Sequence, residues 1–316
     1  MILITGGLGF LGGNLAKHLL DMGKGVLLTR NRNVQVPTLL APYVGKGLEI
    51  APMDVTEITT IFDAVKKYKV TSIIHGASIY EGRGSIYQAI DVNVMGCANI
   101  LEAARLGNVG RVTFTSSEGV HQGRKETTPI KEEEWFWARS DRYIPLTKKM
   151  AELLFFFYQK EYKLDMVITR PSRIYGPLYA AGRNPILRMA NAAVKGGETV
   201  FTDINEEESH DFVYVRDCAR ALAMIHLAPK PNHAIYNIGL GRSHSFGDVA
   251  RTLEKIVPGV SIRLSTGVAT ITKTPYDINA CLDNSRIQEE FGYVPEYDLE
   301  RGLRALVAWQ RDGEYV

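Results

Sequence analysis

Gly6, Gly9 and Gly12 stand three apart in the opening MILITGGLGFLG, directly after a short apolar run. Glycine tolerates positive φ and has no Cβ to block a ligand. A turn built this way brings backbone amides against a pyrophosphate, and the dipole of the following helix adds to the attraction. The chemistry this spacing predicts is dinucleotide binding. A second feature bears on which dinucleotide. The run Val26-Leu27-Leu28-Thr29 ends in Arg30-Asn31-Arg32, where a carboxylate would otherwise hold the adenine ribose of NAD. Guanidinium matches phosphate geometry, so Arg30 and Arg32 favour a 2′-phosphate and therefore NADP over NAD. A solvated basic loop is the other use of the same two residues.

Those residues need a scaffold, and the pattern around them supplies one. Residues 2–5 read as a strand and 14–22 as an amphipathic helix. Residues 48–53 form a third strand, ending at Asp54, which either reaches the adenine edge or caps the next helix. A helix over 58–68 follows, then the continuous apolar strand Ser72-Ile73-Ile74-His75. It leads into Gly76-Ala77-Ser78, small residues that let backbone approach a cofactor. One long helix is predicted over 86–107, a strand over 111–116, a helix over 145–162 and a strand over 166–169. This alternation with short connections predicts an α/β fold, a doubly wound parallel sheet of Rossmann type. Residues 1–170 are read as the dinucleotide-binding domain. Residues 171–316 are read mostly as a smaller substrate-binding lobe, with the chain crossing back to the sheet.

Composition limits the alternatives. The 316 residues are 45% apolar and 23% charged, with a net charge of +2 and no basic stripe, which argues against nucleic acid. Cys97, Cys218 and Cys281 are too scattered for a disulfide framework or a zinc site, so no metal is expected. A first strand starting at residue 2 leaves no room for a signal peptide. The longest apolar run, near 153–158, falls far short of a membrane span. The expected location is the cytoplasm.

Several segments in order carry a family resemblance. Gly6/Gly9/Gly12 is similar to TGGxGFxG, and Asn93-Val94-Met95-Gly96 to a structural NxxG. Arg170-Pro171-Ser172-Arg173-Ile174-Tyr175-Gly176-Pro177 is similar to RPxxxYGP, and Asp211-Phe212-Val213-Tyr214-Val215-Arg216-Asp217 to DFVYVxD. Tyr236-Asn237-Ile238-Gly239 and Asp283-Asn284-Ser285-Arg286 fit as well. The chain resembles the extended short-chain dehydrogenase/reductases, in their epimerase/dehydratase branch, over nearly its whole length. The resemblance implies a cofactor site of Gly6, Gly9, Phe10, Leu11, Gly12, Arg30, Arg32, Asp54, Val55, Ala77, Lys148 and Pro171. It specifies the fold and leaves the reaction open.

The family's hydride chemistry uses a Ser or Thr, a Tyr and a Lys, with Tyr and Lys in Tyr-x-x-x-Lys spacing. The Tyr is the acid/base, the ammonium stabilises its phenolate and the hydroxyl orients the substrate oxygen. Ser117 matches the hydroxyl, and Lys148, in Thr147-Lys148-Lys149-Met150-Ala151-Glu152, matches the family's SKxxAE. Four residues before Lys148, however, stands Ile144, and the nearest phenol is Tyr143. Five residues on a helix lie about 140° apart, against about 40° for four. Pro145 is a good first helical residue, which would leave Tyr143 and Ile144 ahead of the helix and let Tyr143 swing in. Otherwise Tyr143 is a packing or surface tyrosine.

Glu118 is the second proton-handling candidate. It stands where the family's dehydratases carry an acidic Asp, and desolvation there would raise its pKa. His121, three residues on, offers an imidazole that would titrate near neutrality, but loop histidines mostly have no chemical role. On the substrate side, His210 replaces the Arg that meets a diphosphate in nucleotide-sugar enzymes, behind Asp203 and the block Glu206-Glu207-Glu208. Those carboxylates would repel a diphosphate at close range. Arg173, Arg183 and Arg188 remain as anion contacts, and Trp135-Phe136-Trp137 either lines a cleft or is buried under its own loop. The helix 147–161 is apolar beyond one face. By family analogy it would pair with the helix around 86–107 in a homodimer.

The expected function is oxidation, reduction or epimerisation at a carbinol or carbonyl carbon of a sugar, nucleotide sugar or similar small molecule. Ser117, Lys148 and either Tyr143 or Glu118 would be catalytic. Two alternatives stay open: a dinucleotide-binding sensor or pseudoenzyme without hydride chemistry, and a lyase working through Glu118.

Overall fold

The computed structural model describes residues 1–30, 35–80, 82–179, 184–267, 280–313 and 315. The first half alternates β1 (Ile2–Thr5), α1 (Phe10–Asp21), β2 (Val26–Arg30), β3 (Leu48–Pro52), α2 (Ile58–Lys67) and β4 (Ser72–His75). It continues with α3 (Ile86–Ile90), α4 (Gly96–Leu106), β5 (Arg111–Thr115), α5 (Tyr143–Tyr162) and β6 (Asp165–Pro171). The later half holds β7 (Arg173–Tyr175), α6 (Pro185–Lys195), β8 (Gly197–Asn205), β9 (Ser209–Tyr214) and α7 (Val215–Leu227). After these come β10 (Ile235–Ile238), β11 (Ser243–Ser245), α8 (Phe246–Ile256), β12 (Val260–Ser265), α9 (Ser285–Phe291) and α10 (Leu299–Asp312).

Seven parallel strands run in the order β10-β6-β5-β4-β1-β2-β3. Strands β1, β2 and β4 carry continuous apolar runs, and β5 is buried along its whole length, because both sheet faces are covered. Leu15 and Leu19 of α1 and Cys218 and Leu222 of α7 pack on one face. Ile61 of α2, Ile100 of α4 and Phe155 of α5 pack on the other. The winding direction reverses between β1 and β4, so the connections diverge and leave a crevice at their carboxyl ends. The chain crosses back late: α7 packs on α1, and β10 pairs with β6. A second core, with Tyr214, Phe246 and Leu303, ties α6, α8 and α10 to the small sheets β11-β9-β7 and β12-β8.

Two helices differ from expectation. The stretch 86–107 is α3, a wider turn over Asp91–Met95, then α4. Asn93 lies in that turn: its side chain accepts from Ile79 N at 2.7 Å and donates to Ile79 O at 2.8 Å and Thr147 Oγ1 at 2.9 Å. It thereby ties the loop after β4 to α5. The other difference is where α5 begins. It starts at Tyr143 rather than after it, with Arg142 extended as the cap. Leu146 N donates to Arg142 O at 3.2 Å and Thr147 Oγ1 to Tyr143 O at 2.7 Å. Pro145 fits at the third helical position, because the first-turn amides have no intrahelical acceptor.

Candidate active site

A cavity of about 530 Å³ lies over the carboxyl ends of β1, β2 and β4. Gly6, Gly9, Phe10, Leu11 and Gly12 form its floor, and Thr29, Arg30, Met53, Val55 and Ala77 its walls. Gly6 has φ +70, and a Cβ on Gly12 would sit 2.4 Å from Gly6 O. Any side chain at Gly12 would push α1 away from the turn. Gly9 caps α1 without a side-chain hydrogen bond, and the first turn holds no acidic residue. Its amides are therefore available to an anion in the cavity. The wall behind is pinned by Thr5, whose Oγ1 accepts from Gly76 N at 3.2 Å and Ala77 N at 3.1 Å. The same hydroxyl lies 2.7 Å from His75 Nδ1. Burial holds His75 down to about 3.

This cradle fits a dinucleotide. At the adenosine end Arg30 lines the cavity, and its Nε is buried with no hydrogen-bond partner among the described residues. Arg32 lies outside the described residues. Asp54 does not cap α2, whose cap residue is Glu57; it closes the loop before that helix, its Oδ1 accepting from Thr56 N at 2.9 Å and Thr56 Oγ1 at 2.8 Å. Asp54 lines a separate groove along β3 and α2, while its neighbours Met53 and Val55 line the dinucleotide cavity. Asn99 holds that loop by donating to Val55 O at 2.9 Å. Pro171 is buried in β6 opposite Ile238.

At the reacting end, β5 runs out into Ser116-Ser117-Glu118. Ser117 is half-buried, and its Oγ accepts from Gly119 N at 3.0 Å, capping the short turn Glu118–His121. Lys148 is buried on α5. Its Nζ donates to Thr115 O at 2.6 Å and lies 4.6 Å from the Phe114 ring centre. Burial lowers it to about 8, against the raising effects of Cys97 and Glu152. Thr115 also lines the dinucleotide cavity, so the ammonium sits beneath its inner end. The Glu118 side chain is 12% exposed, with its Oε1 3.9 Å from Arg173 Nε. Tyr143 is bound by helical geometry after all, as the first residue of α5, about 140° around the axis from Lys148. The residue in phase with the ammonium is Ile144.

A buried charge network holds this end in place, and sequence reasoning gave it no role. Arg170 donates to Glu152 at 3.0 Å through Nε and 2.6 Å through Nη2, and through Nη1 to Glu132 O at 3.0 Å. Ser116 Oγ donates to Glu152 Oε1 at 2.5 Å. Glu152 stands one turn after Lys148, flanked by Ala151 and Leu153; a carboxylate between apolar neighbours was the available signal. His121 belongs to this network, its Nε2 3.2 Å from Arg170 Nη1. Burial and the Arg170, Arg124 and Lys149 charges push it to about 3, so it does not titrate near neutrality.

The substrate side departs from the sequence reading in three places. The acidic block is not one surface. Glu207 is exposed and Glu206 half-buried, whereas Glu208 is buried, with Oε1 2.7 Å from His210 Nε2. Arg188 pairs bidentately with Asp203, its Nη1 2.5 Å and Nη2 2.8 Å from the carboxylate. Trp135 is 97% and Trp137 55% exposed, so their loop does not bury them. Arg183 lies outside the described residues. Asp211, fully buried, accepts from Ser172 Oγ and from the amides of Leu240, Gly241 and Leu282. Desolvation raises it to about 6 against those bonds. Among the described residues no group of His, Cys, Asp and Glu could hold a metal ion, and no helix is long and apolar enough to cross a membrane.

Known proteins are similar to this chain along its length. The profile of the NAD dependent epimerase/dehydratase family matches residues 2–239. A UDP-glucuronate 4-epimerase of Thermodesulfobacterium geofontis is 26% identical, over 98% of this chain and 96% of its own. A dTDP-glucose 4,6-dehydratase of Neisseria meningitidis is 25% identical, over 99% and 94%. The crystal structure of a Thermus thermophilus UDP-glucose 4-epimerase in complex with NAD superposes with a TM-score of 0.81 at 23% identity, covering 99% of both chains. That last likeness speaks for the fold.

Proposed function

The chain belongs to the NAD dependent epimerase/dehydratase family, and from that premise we propose that it is an NAD(P)-dependent enzyme acting at a carbinol or carbonyl carbon of a sugar or nucleotide sugar. The observation that carries the reading is the buried Lys148 ammonium, 2.6 Å from Thr115 O, beneath the inner end of a glycine-floored cavity. Relatives named for epimerase and dehydratase reactions on nucleotide sugars support it.

Bound nicotinamide would supply the hydride acceptor or donor. The chain's own residues do the rest. The first-turn amides of α1 would hold the pyrophosphate, and Lys148 would hold the nicotinamide ribose. Ser117, once its hydroxyl turns from Gly119, orients the substrate oxygen. Glu118 moves the proton, because it adjoins Ser117, whereas Tyr143 is out of phase with Lys148 on α5. One observation favours the second reading, dinucleotide binding without hydride chemistry: α5 sets Ile144, not a phenol, one turn before Lys148.

Arg30 decides the cofactor form. A guanidinium whose buried Nε has no partner among the described residues, at the adenosine end, suits a 2′-phosphate. Paired titrations should show NADP binding about tenfold tighter than NAD, with Arg30→Ala abolishing the difference. Tighter NAD binding would overturn the Arg30 assignment, and binding of neither would overturn the dinucleotide reading.

The homodimer is proposed on exposed apolar side chains. Met95, at 51% exposure, lies between α3 and α4, and Leu153 and Phe157, at 59% and 57%, lie one turn apart on α5. Phe157→Asp should shift the protein to monomer on sizing; an unchanged dimer peak would refute this interface.

A further inference from the structure

We propose that Arg83 is an anion clamp of the dinucleotide cavity, its guanidinium binding the cofactor's pyrophosphate from the loop after β4 while the glycine turn supplies backbone amides. The inference rests on the dinucleotide reading above and adds to it a residue that sequence reasoning gave no role.

The connection from β4 to α3 runs along the cavity, which Gly76, Ala77, Ser78, Ile79, Tyr80 and Arg83 all line. Arg83 N donates to Tyr80 O at 3.0 Å, closing a turn in which Gly82 has φ +81. Glycine meets that φ without strain. Ahead of Arg83 the chain is fixed again, because Ser85 caps α3 in a reciprocal box with Gln88. Gln88 N donates to Ser85 Oγ at 3.2 Å, and Ser85 N to Gln88 Oε1 at 2.9 Å. The backbone that carries Arg83 is thus tied on both sides.

The side chain is held at one end only. Its Nε donates to Tyr80 Oη at 3.1 Å, and the guanidinium carbon lies 5.6 Å from the centre of the Tyr80 ring. Among the described residues Tyr80 is its one hydrogen-bond partner, and no carboxylate pairs with it. Arg170 and Arg188, by contrast, are each bound to a carboxylate, Glu152 and Asp203. A guanidinium oriented through Nε and open at both Nη groups suits bidentate contact with phosphate oxygens.

Two phosphate sources share that chemistry, the pyrophosphate and the 2′-phosphate of NADP. Sheet order separates them. The glycine turn leaves β1, which lies between β2, the strand that ends in Arg30, and β4, the strand before Arg83. Arg30 takes the adenosine side and Arg83 the other side of the turn. Among the described residues these two are the charged lining of the cavity, so no carboxylate there opposes an anion.

Calorimetric titration of wild-type and Arg83→Met protein with NAD, NADP, ADP and adenosine tests this. ADP shares the linked phosphates of NAD, and adenosine has none. Arg83→Met should weaken NAD and ADP about tenfold and adenosine by less than about twofold. Arg83→Lys should recover part of the loss, since it restores the charge without the fork. The preference between NADP and NAD should stay as in the wild type. An unchanged NAD affinity in Arg83→Met overturns the inference. So does an equal loss for adenosine and ADP, which would assign Arg83 to the fold of its loop. A loss confined to NADP also overturns it, by moving Arg83 to the 2′-phosphate. Failure of the wild-type protein to bind NAD, NADP or ADP overturns the dinucleotide reading itself, and the inference with it.

Discussion

The two ends of the crevice are built on different principles. The cofactor end is made from neighbours in sequence: Gly6, Gly9 and Gly12 shape one turn, and a single hydroxyl, Thr5, pins the wall behind it. Among the described residues its charged wall residues are Arg30 and Arg83. The reacting end is assembled from residues at 116, 121, 132, 152 and 170, joined by charges inside the protein. Backbone shape positions the first and buried ion pairing the second. The first is therefore sensitive to added atoms, and the second to removed charges.

Three perturbations sharpen or break that contrast. The largest effect should come from Glu152→Leu, which strands the Arg170 guanidinium, 2% exposed, without its carboxylate. Removing one partner of a buried pair costs about 3–5 kcal/mol. Urea unfolding would show the loss, and adding Arg170→Met should recover most of it. A loss below about 1 kcal/mol would mean that the pair does not hold the reacting end. Gly12→Ala should come next, at about 1–3 kcal/mol of overpacking, since its Cβ would sit 2.4 Å from Gly6 O. Its signature is weakened dinucleotide binding with the unfolding transition still cooperative; unaltered affinity would separate the turn from the cofactor. The smallest effect is on pH. Burial lowers Lys148 from its ordinary value to about 8, so the ammonium is present below that pH and lost above it. Turnover should fall as pH rises through about 8, and a profile flat to pH 10 would show that the charge is not used.

The same contrast explains what the sequence disclosed. The parallel sheet, the glycine turn and the order of family segments were legible because they depend on local periodicity and contiguous residues. Asp54 was ambiguous because an adenine-edge contact and a helix cap call for the same side chain; in the structure it bonds Thr56, two residues on, ahead of a helix that Glu57 caps. The start of α5 was misplaced because proline is tolerated throughout a helix's first turn, not only at its first residue. Glu152 and Arg170 stood in recognised segments, yet nothing local announces that residues 18 apart will meet in the core. His121 was read as a loop histidine for the same reason: its partner, Arg170, is 49 residues away.

The central claim is that proton transfer does not use the helix that carries Lys148. It is tested most directly by the turnover of Glu118→Gln beside that of Tyr143→Phe, on the best substrate found and at saturating cofactor. The account predicts that Glu118→Gln lowers kcat about a hundredfold or more, while Tyr143→Phe stays within about threefold of wild type. A large loss in Tyr143→Phe with Glu118→Gln near wild type would contradict it and return the proton to the tyrosine.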